Sequence, residues 1–338
     1  MTIDLPIDLP TVWAIVIALG VLIYVILDGF DLGIGLLYPL FPQEHDRQLM
    51  MNTVAPVWDG NETWMVLGGA GLYAAFPAVY GGLLSATYLP LVLMLCGLIF
   101  RGAAFELRAK AHRTRHAWDI AFMGGSALAT FCQGMVLGTL LQGIPMSDGR
   151  YAGNGMEWLS PFSFFCGLGL CATYACLGCG WLIGKTEGDL QRKLFAVMRP
   201  LSLLLLAAIA VISAWTMLAQ PQVSARWFDP DYFYYFLPVP VLLVLAIAAI
   251  FRAARRGFDR QPFACAIGIV FLGFSGLMLS IFPYILPGSL DIWQASSPRS
   301  SQGFTLVGVI LVLPVILAYT GLSYWVFRGK TASDAGYH

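Results

Sequence analysis

Residues 25–35 read VILDGFDLGIG. They close an apolar run that begins near Thr11, and they set two aspartates, Asp28 and Asp31, three residues apart among glycines and hydrophobes. Roughly 17–25 apolar residues cross a hydrocarbon core as one helix. A carboxylate inside that core is costly and commonly functional. The stretch therefore makes this chain an integral-membrane protein and asks what two buried acids do there.

The composition agrees. Of 338 residues, 58% are hydrophobic and 11% charged, with a mean hydropathy of +0.74, where soluble domains carry about 25% charged residues. The formal net charge is zero, so nothing draws the chain toward nucleic acid. The cysteines, Cys96, Cys132, Cys166, Cys171, Cys176, Cys179 and Cys265, all sit in apolar segments, which argues against a secreted disulfide framework. The N-terminal MTIDLPIDLP has no Lys or Arg, the wrong start for a cleaved signal peptide, so the first apolar run is expected to be retained.

Hydropathy predicts about nine spanning helices, near 11–38, 56–76, 82–105, 118–141, 161–184, 200–220, 232–252, 262–284 and 303–327. The second is the weakest, since it opens with Pro56-Val57-Trp58-Asp59-Gly60-Asn61-Glu62. Basic residues crowd the loops after spans three, five and seven and the tail: Arg101, Arg108, Lys110, Arg113 and Arg115, then Lys185, Arg192, Lys193 and Arg199, then Arg252, Arg255, Arg256 and Arg260, then Arg328 and Lys330. The alternate loops hold Arg150, Arg226 and Arg299. By the positive-inside rule the basic loops and C-terminus face the cytoplasm and the N-terminus the periplasm. Trp158, Trp227, Tyr232, Tyr234, Tyr235, Trp293 and Trp325 fall near span ends, as interfacial anchors do. Residues 1–338 read as a single membrane domain without an internal repeat or a pair of broken helices.

This topology places the charges. Asp28 lies roughly 25 Å into the first helix, in the cytoplasmic third, and Asp31 one turn deeper on the same face. Asp59 and Glu62 open the second span from the cytoplasm, Arg101 ends the third and Asp119 starts the fourth, so all fall at one level. Asp119 and Arg101 read as structural helix-end charges. Asp59 reads as functional, because intramembrane acids mark proton pathways. Asp28 and Asp31 stay open between pairing with Arg101 and carrying protons. Gly29, Gly33 and Gly35 would let helices approach closely and shield the acids from lipid.

Other signals are weak. His45, His112, His116 and His338 all lie outside the spans, and a haem at membrane depth usually needs a His or Met ligand. Met94, Met123, Met135, Met217 and Met278 read as packing. The run CGLGLCATYACLGC, Cys166 to Cys179, scatters its cysteines round the helix, and its one CxxC has no second pair, so no metal site is assigned. No phosphate loop, HExxH or nucleophile elbow is present.

LDGFDLGIG, then APVWDGNETW, FPAVYGG, LIFRGAAFELR, HAWD and the late IFPYILPGSLDIWQASS resemble, in order and spacing, subunit II of cytochrome bd-type quinol oxidases. The resemblance implies two four-helix bundles plus one extra helix in the bacterial inner membrane. It implies a haem-free subunit beside a haem-bearing subunit I, in a complex that oxidises quinol and reduces dioxygen to water. Subunit I would hold haems b and d, or b in place of d. A small accessory subunit and a structural quinone occur in some members. The WDGN aspartate, here Asp59, belongs by resemblance to a cytoplasmic proton path, with Asp28, Asp31 and Glu62 beside it. Trp58, Arg101 and Asp119 would form a structural polar cluster for assembly or haem retention. Gln294 stands where many members are acidic, and the loops are short, as in the cyanide-insensitive branch. The competing expectation is a proton-coupled secondary transporter, against which the one-sided charges argue; a third is a scaffold without a proton path.

Overall fold

A computed structural model describes residues 8–111, 113–230 and 233–331, with the side chains of Gln222 and Tyr235 left aside. His112, His338, Tyr232 and the first seven residues, on which the signal-peptide reading rests, lie outside the described residues. The helices are α1 (Leu9–Leu37), α2 (Glu44–Asn52), α3 (Trp58–Ala75), α4 (Pro77–Ala86), α5 (Tyr88–Arg108), α6 (Arg115–Gln142), α7 (Pro161–Lys185), α8 (Gly188–Ala219), α9 (Pro221–Trp227), α10 (Phe233–Phe236), α11 (Pro238–Arg256), α12 (Gln261–Ile281) and α13 (Arg299–Val326). Two small hairpins, β1 (Met146–Ser147) with β2 (Arg150–Tyr151) and β3 (Tyr284–Leu286) with β4 (Leu290–Asp291), complete the fold.

Among the described residues eight helices are long and apolar enough to cross a membrane, or nine if the bent pair α3 and α4 is counted as one span. The expected second and third spans are corrected here. The chain turns by 120° between α3 and α4, and residues 82–86 belong to α4 rather than to the third span. Pro77 explains the break. It offers no N–H to continue the ladder and drives the preceding residue out of helical geometry, and Phe76 sits at φ −134°, ψ 63°. One helix pair is thus broken, and no second bent pair accompanies it among the described residues.

α1, α3, α5 and α6 form one bundle and α7, α8, α11 and α12 a second, with α1 against α7 as the seam and α13 outside, touching α1 and α3. α7 is the most enclosed span, and its small residues are the cause. A Cβ on Gly178 would lie 2.7 Å from the Gly33 carbonyl carbon, and one on Gly180 would lie 2.9 Å from Phe263. The cysteines of this helix are free and serve the same close packing.

The two ends of the molecule are chemically distinct. At the end carrying the basic loops, Lys185 of α7 donates to the carbonyls of Phe327 and Gly329, Lys330 pairs with Asp259 at 2.9 Å, and Lys193 pairs with Asp46 at 3.0 Å. At the opposite end, Trp13 Nε1 donates to Gln302 O, Trp293 Nε1 to Asp8, and Ser297 N to Ala75 O. Trp13, Phe76, Val79, Ile144, Leu286 and Ile292 form a small apolar core there, beneath the hairpins.

Candidate functional site

α1 presents Asp28 and Asp31 one turn apart. α3 adds Asn61 and Glu62, α5 adds Arg101, and α13 adds Tyr324. Asp28, Asp31 and Arg101 are fully buried. Arg101 Nη1 donates to Asp28 Oδ1 at 2.5 Å and Nη2 to Glu62 Oε2 at 2.8 Å. Asn61 Nδ2 donates to Asp31 Oδ2 at 2.8 Å, and the Tyr324 hydroxyl donates to Asn61 Oδ1 at 2.8 Å. Trp58 stacks on Phe105 at 4.9 Å between centroids, with the Arg101 guanidinium 5.8 Å from the Trp58 ring centre. Asp28 Oδ2, Asp31 Oδ1 and Arg101 Nε bond to no described residue. One guanidinium thus faces three carboxylates at membrane depth.

Asp59 stands apart. The sequence reading set it at the level of the buried acids, but it is exposed on this chain. Successive helical residues point about 100° apart, so Trp58 turns inward and Asp59 outward. It lines an open cavity of about 520 Å³, with Asn61, Glu106, Tyr319, Ser323 and Tyr324 among the other walls. Arg101 pairs with Asp28 and Glu62 and makes no salt bridge to Asp59.

Asp119 is also corrected. It does not join Arg101 and Trp58. It accepts from Arg108 Nε at 2.5 Å and from Arg47 Nη1 at 3.1 Å. Arg108 also reaches Gln48 at 2.6 Å and Glu44 at 3.0 Å, and Arg115 reaches Glu44 at 2.9 Å. Arg108 follows Arg101 by seven residues, so this second cluster lies about 10 Å closer to the basic end. It ties the short helix α2 to α5 and α6.

The glycines make the close helix contacts expected of them. A Cβ on Gly33 would run into the Tyr174 carbonyl of α7, and one on Gly35 into Ser126 of α6. Gly33 thus closes α1 on α7 at the seam, and Gly35 closes α1 on α6 within the first bundle. Sequence reasoning also missed a midplane triad: Gln133 Nε2 donates to the Tyr24 hydroxyl at 2.7 Å and the Tyr174 hydroxyl donates to Gln133 Oε1 at 2.9 Å. The lone Gln in FCQGM was the available signal. Asn61, Tyr324, Arg47, Glu44 and Gln48 were missed too; of these, only Asn61, three residues before Trp64 in the span-two opening, carried a periodicity cue.

The sequence profile of cytochrome bd terminal oxidase subunit II matches residues 9–327. The chain is 28% identical to the probable cytochrome oxidase subunit 2 of Haemophilus influenzae, over 94% of each chain. It is 27% identical to the cytochrome bd-I ubiquinol oxidase subunit 2 of Escherichia coli, over 96% of this chain and 95% of that one. It is 28% identical to the cytochrome bd ubiquinol oxidase subunit 2 of Bacillus subtilis, over 96% and 97%. Its fold matches a chain of the bd oxidase from Geobacillus thermodenitrificans with a TM-score of 0.76, at 16% identity, covering 95% of this chain and 99% of that one.

Proposed function

We propose a function from one premise: the chain belongs to the cytochrome bd terminal oxidase subunit II family. As such it is a multi-span subunit of a bacterial respiratory oxidase, and the complex oxidises quinol with dioxygen as acceptor. Its partner is subunit I, which holds the haems. The described histidines of this chain, His45 and His116, sit in α2 and in the first turn of α6, at the basic end, which supports leaving haem ligation to subunit I.

Within that complex, this chain stabilises subunit I and takes up protons from the cytoplasm through Asp59. The observation that carries the uptake reading is the Asp59 cavity at the basic end, lying against the buried Asp28, Asp31 and Arg101 and the half-buried Glu62, three carboxylates with one guanidinium. A set so unbalanced approaches neutrality only by holding protons, because unpaired charge at this depth is costly. The exposed α3 residues Asp59, Thr63, Val66, Ala70 and Tyr73 form one stripe. A carboxylate on such a face belongs against a protein partner rather than lipid, which makes this stripe the face for subunit I. An apolar cavity of about 1130 Å³ runs between the bundles, with Arg226 and Trp227 on its wall; it suits the isoprenoid tail of a structural quinone.

Asp59→Asn in the purified two-subunit complex is expected to slow oxygen consumption at least tenfold while leaving the haem spectrum intact. A tenfold loss corresponds to about 1.4 kcal/mol of barrier. Undiminished turnover in well-assembled complex rules out the uptake role.

A further inference from the structure

We propose that Asn61 and Tyr324 form a gate between the Asp59 cavity and Asp31, and that Asp31 is the proton-holding group behind it. This inference rests on the uptake reading above. Both gate residues wall the cavity, whereas Asp28, Asp31, Glu62 and Arg101 do not. The hydrogen bonds run inward in one line, from Tyr324 hydroxyl to Asn61 Oδ1 and from Asn61 Nδ2 to Asp31 Oδ2, each 2.8 Å. Asn61 is 1% exposed, so this bridge closes the way rather than decorating it.

A carboxamide uses its carbonyl only to accept and its NH₂ only to donate. It is neither acid nor base near neutrality, and it blocks proton transfer where a water or a carboxyl would conduct it. Passage therefore requires Asn61 to turn away from Asp31. A hydronium arriving in the cavity water then gives one proton to the Asp31 carboxylate, leaving water and forming the acid, and the acid gives that proton back to a water by the reverse bond change. The groups facing Asp31 are Asp28 on its own helix, Glu62 and Asn61 on α3, Arg101 on α5 and Tyr324 on α13. Tyr324 is held by its ring as well as its hydroxyl, since its centroid lies 5.9 Å from that of Trp181 and 6.4 Å from that of Phe30. Its helix is otherwise almost unburied, Gln302 being its one buried residue. A partner pressing on α13 would thus reach the gate through the Tyr324 ring, which packs on Phe30 and Trp181.

The test is infrared spectroscopy of the purified two-subunit complex on transfer from H₂O to D₂O. The carboxylic C=O band of Asp31 is assigned by its shift in Asp31→Glu. Tyr324→Phe keeps the ring and removes the latch, so deuterium is expected to reach Asp31 about fivefold faster than in the wild type, the effect of losing one net hydrogen bond. Asn61→Ser is the second variant and is expected to do the same. Unchanged or slower exchange in an assembled variant overturns the gate, as does the lack of any Asp31 acid band at every pH where the complex is intact. Asp59→Asn turnover separates the two ideas. Lost turnover with unchanged Tyr324→Phe exchange removes the gate alone, and normal turnover with faster exchange removes the uptake reading alone.

Discussion

At the scale of single residues, the molecule depends on a few side chains whose partners come from far along the chain. Arg101 is one. Replacing it with alanine strips the fully buried Asp28 of its cation and leaves Glu62 unpaired. Breaking a buried pair in this way typically costs about 3–5 kcal/mol. Arg101→Ala is therefore expected to cut the yield of assembled, haem-loaded complex severely, and recovery of normal haem content would refute its structural role. Gly33 is another. Its hydrogen points at the Tyr174 carbonyl, and a methyl there meets backbone that cannot swing aside. Forcing volume into a packed seam costs about 1–3 kcal/mol. Gly33→Ala should lower the thermal midpoint of the complex in detergent, whereas Gly268→Ala, where a Cβ meets nothing within 4 Å, should leave it unchanged.

At the scale of elements, the short and peripheral pieces do more than their length suggests. The α2 helix has no membrane-spanning length, yet Glu44, Arg47 and Gln48 bind Asp119 and Arg108 between α5 and α6. Hydropathy could find the spans, because apolar runs of helix length are a strong signal in one dimension. It could not find this cluster, because which arginine meets which aspartate depends on azimuth and on a loop whose path no periodicity encodes. The same limit explains Asp59. Its distance along α3 was legible, but the side of the helix it faces was decided by Trp58 stacking on Phe105. The break at Pro77 was written in the sequence as FPAVYGG and was read as a loop between two spans. The tail after α13 is a further case. The Lys330 hydrogen bond holds the Asp259 carboxyl below its ordinary value, and Asp259 in turn raises Lys330. A carboxyl depressed on folding contributes its stabilisation above its unfolded pKa and loses it as pH falls through the folded value. The tail contact should therefore be full near neutrality and fade below the usual carboxylate range. Amide hydrogen exchange of residues 327–331 is expected to rise as pH falls through that window, after correction for intrinsic rates, and Asp259→Asn should weaken the dependence, leaving the Glu187 contact of Lys330 at 3.4 Å. Both groups are largely solvated, so added salt should weaken the contact as well.

At the scale of the whole molecule, two bundles meet at a glycine seam, and one end gathers the basic loops, the tail and the Asp59 cavity. Reporter fusions at the C-terminus are expected to report the cytoplasm and fusions in the loop of residues 143–160 the periplasm; the reverse result would invert the molecule and take proton uptake to the wrong side. The all-helical, many-span architecture followed from composition and run length alone, since lipid leaves the backbone no other solution than helices here. The placement of the acids near one end also has a consequence for biogenesis. Asp28 and Arg101 stand 73 residues apart in the chain, and ribosomes add roughly 5–20 residues per second. The first helix therefore leaves the translocon seconds before its counter-ion exists. Carboxylates at mid-bilayer would stall there, but two acids within reach of the headgroups can wait in contact with water, and the arginine arriving on the third span draws them in.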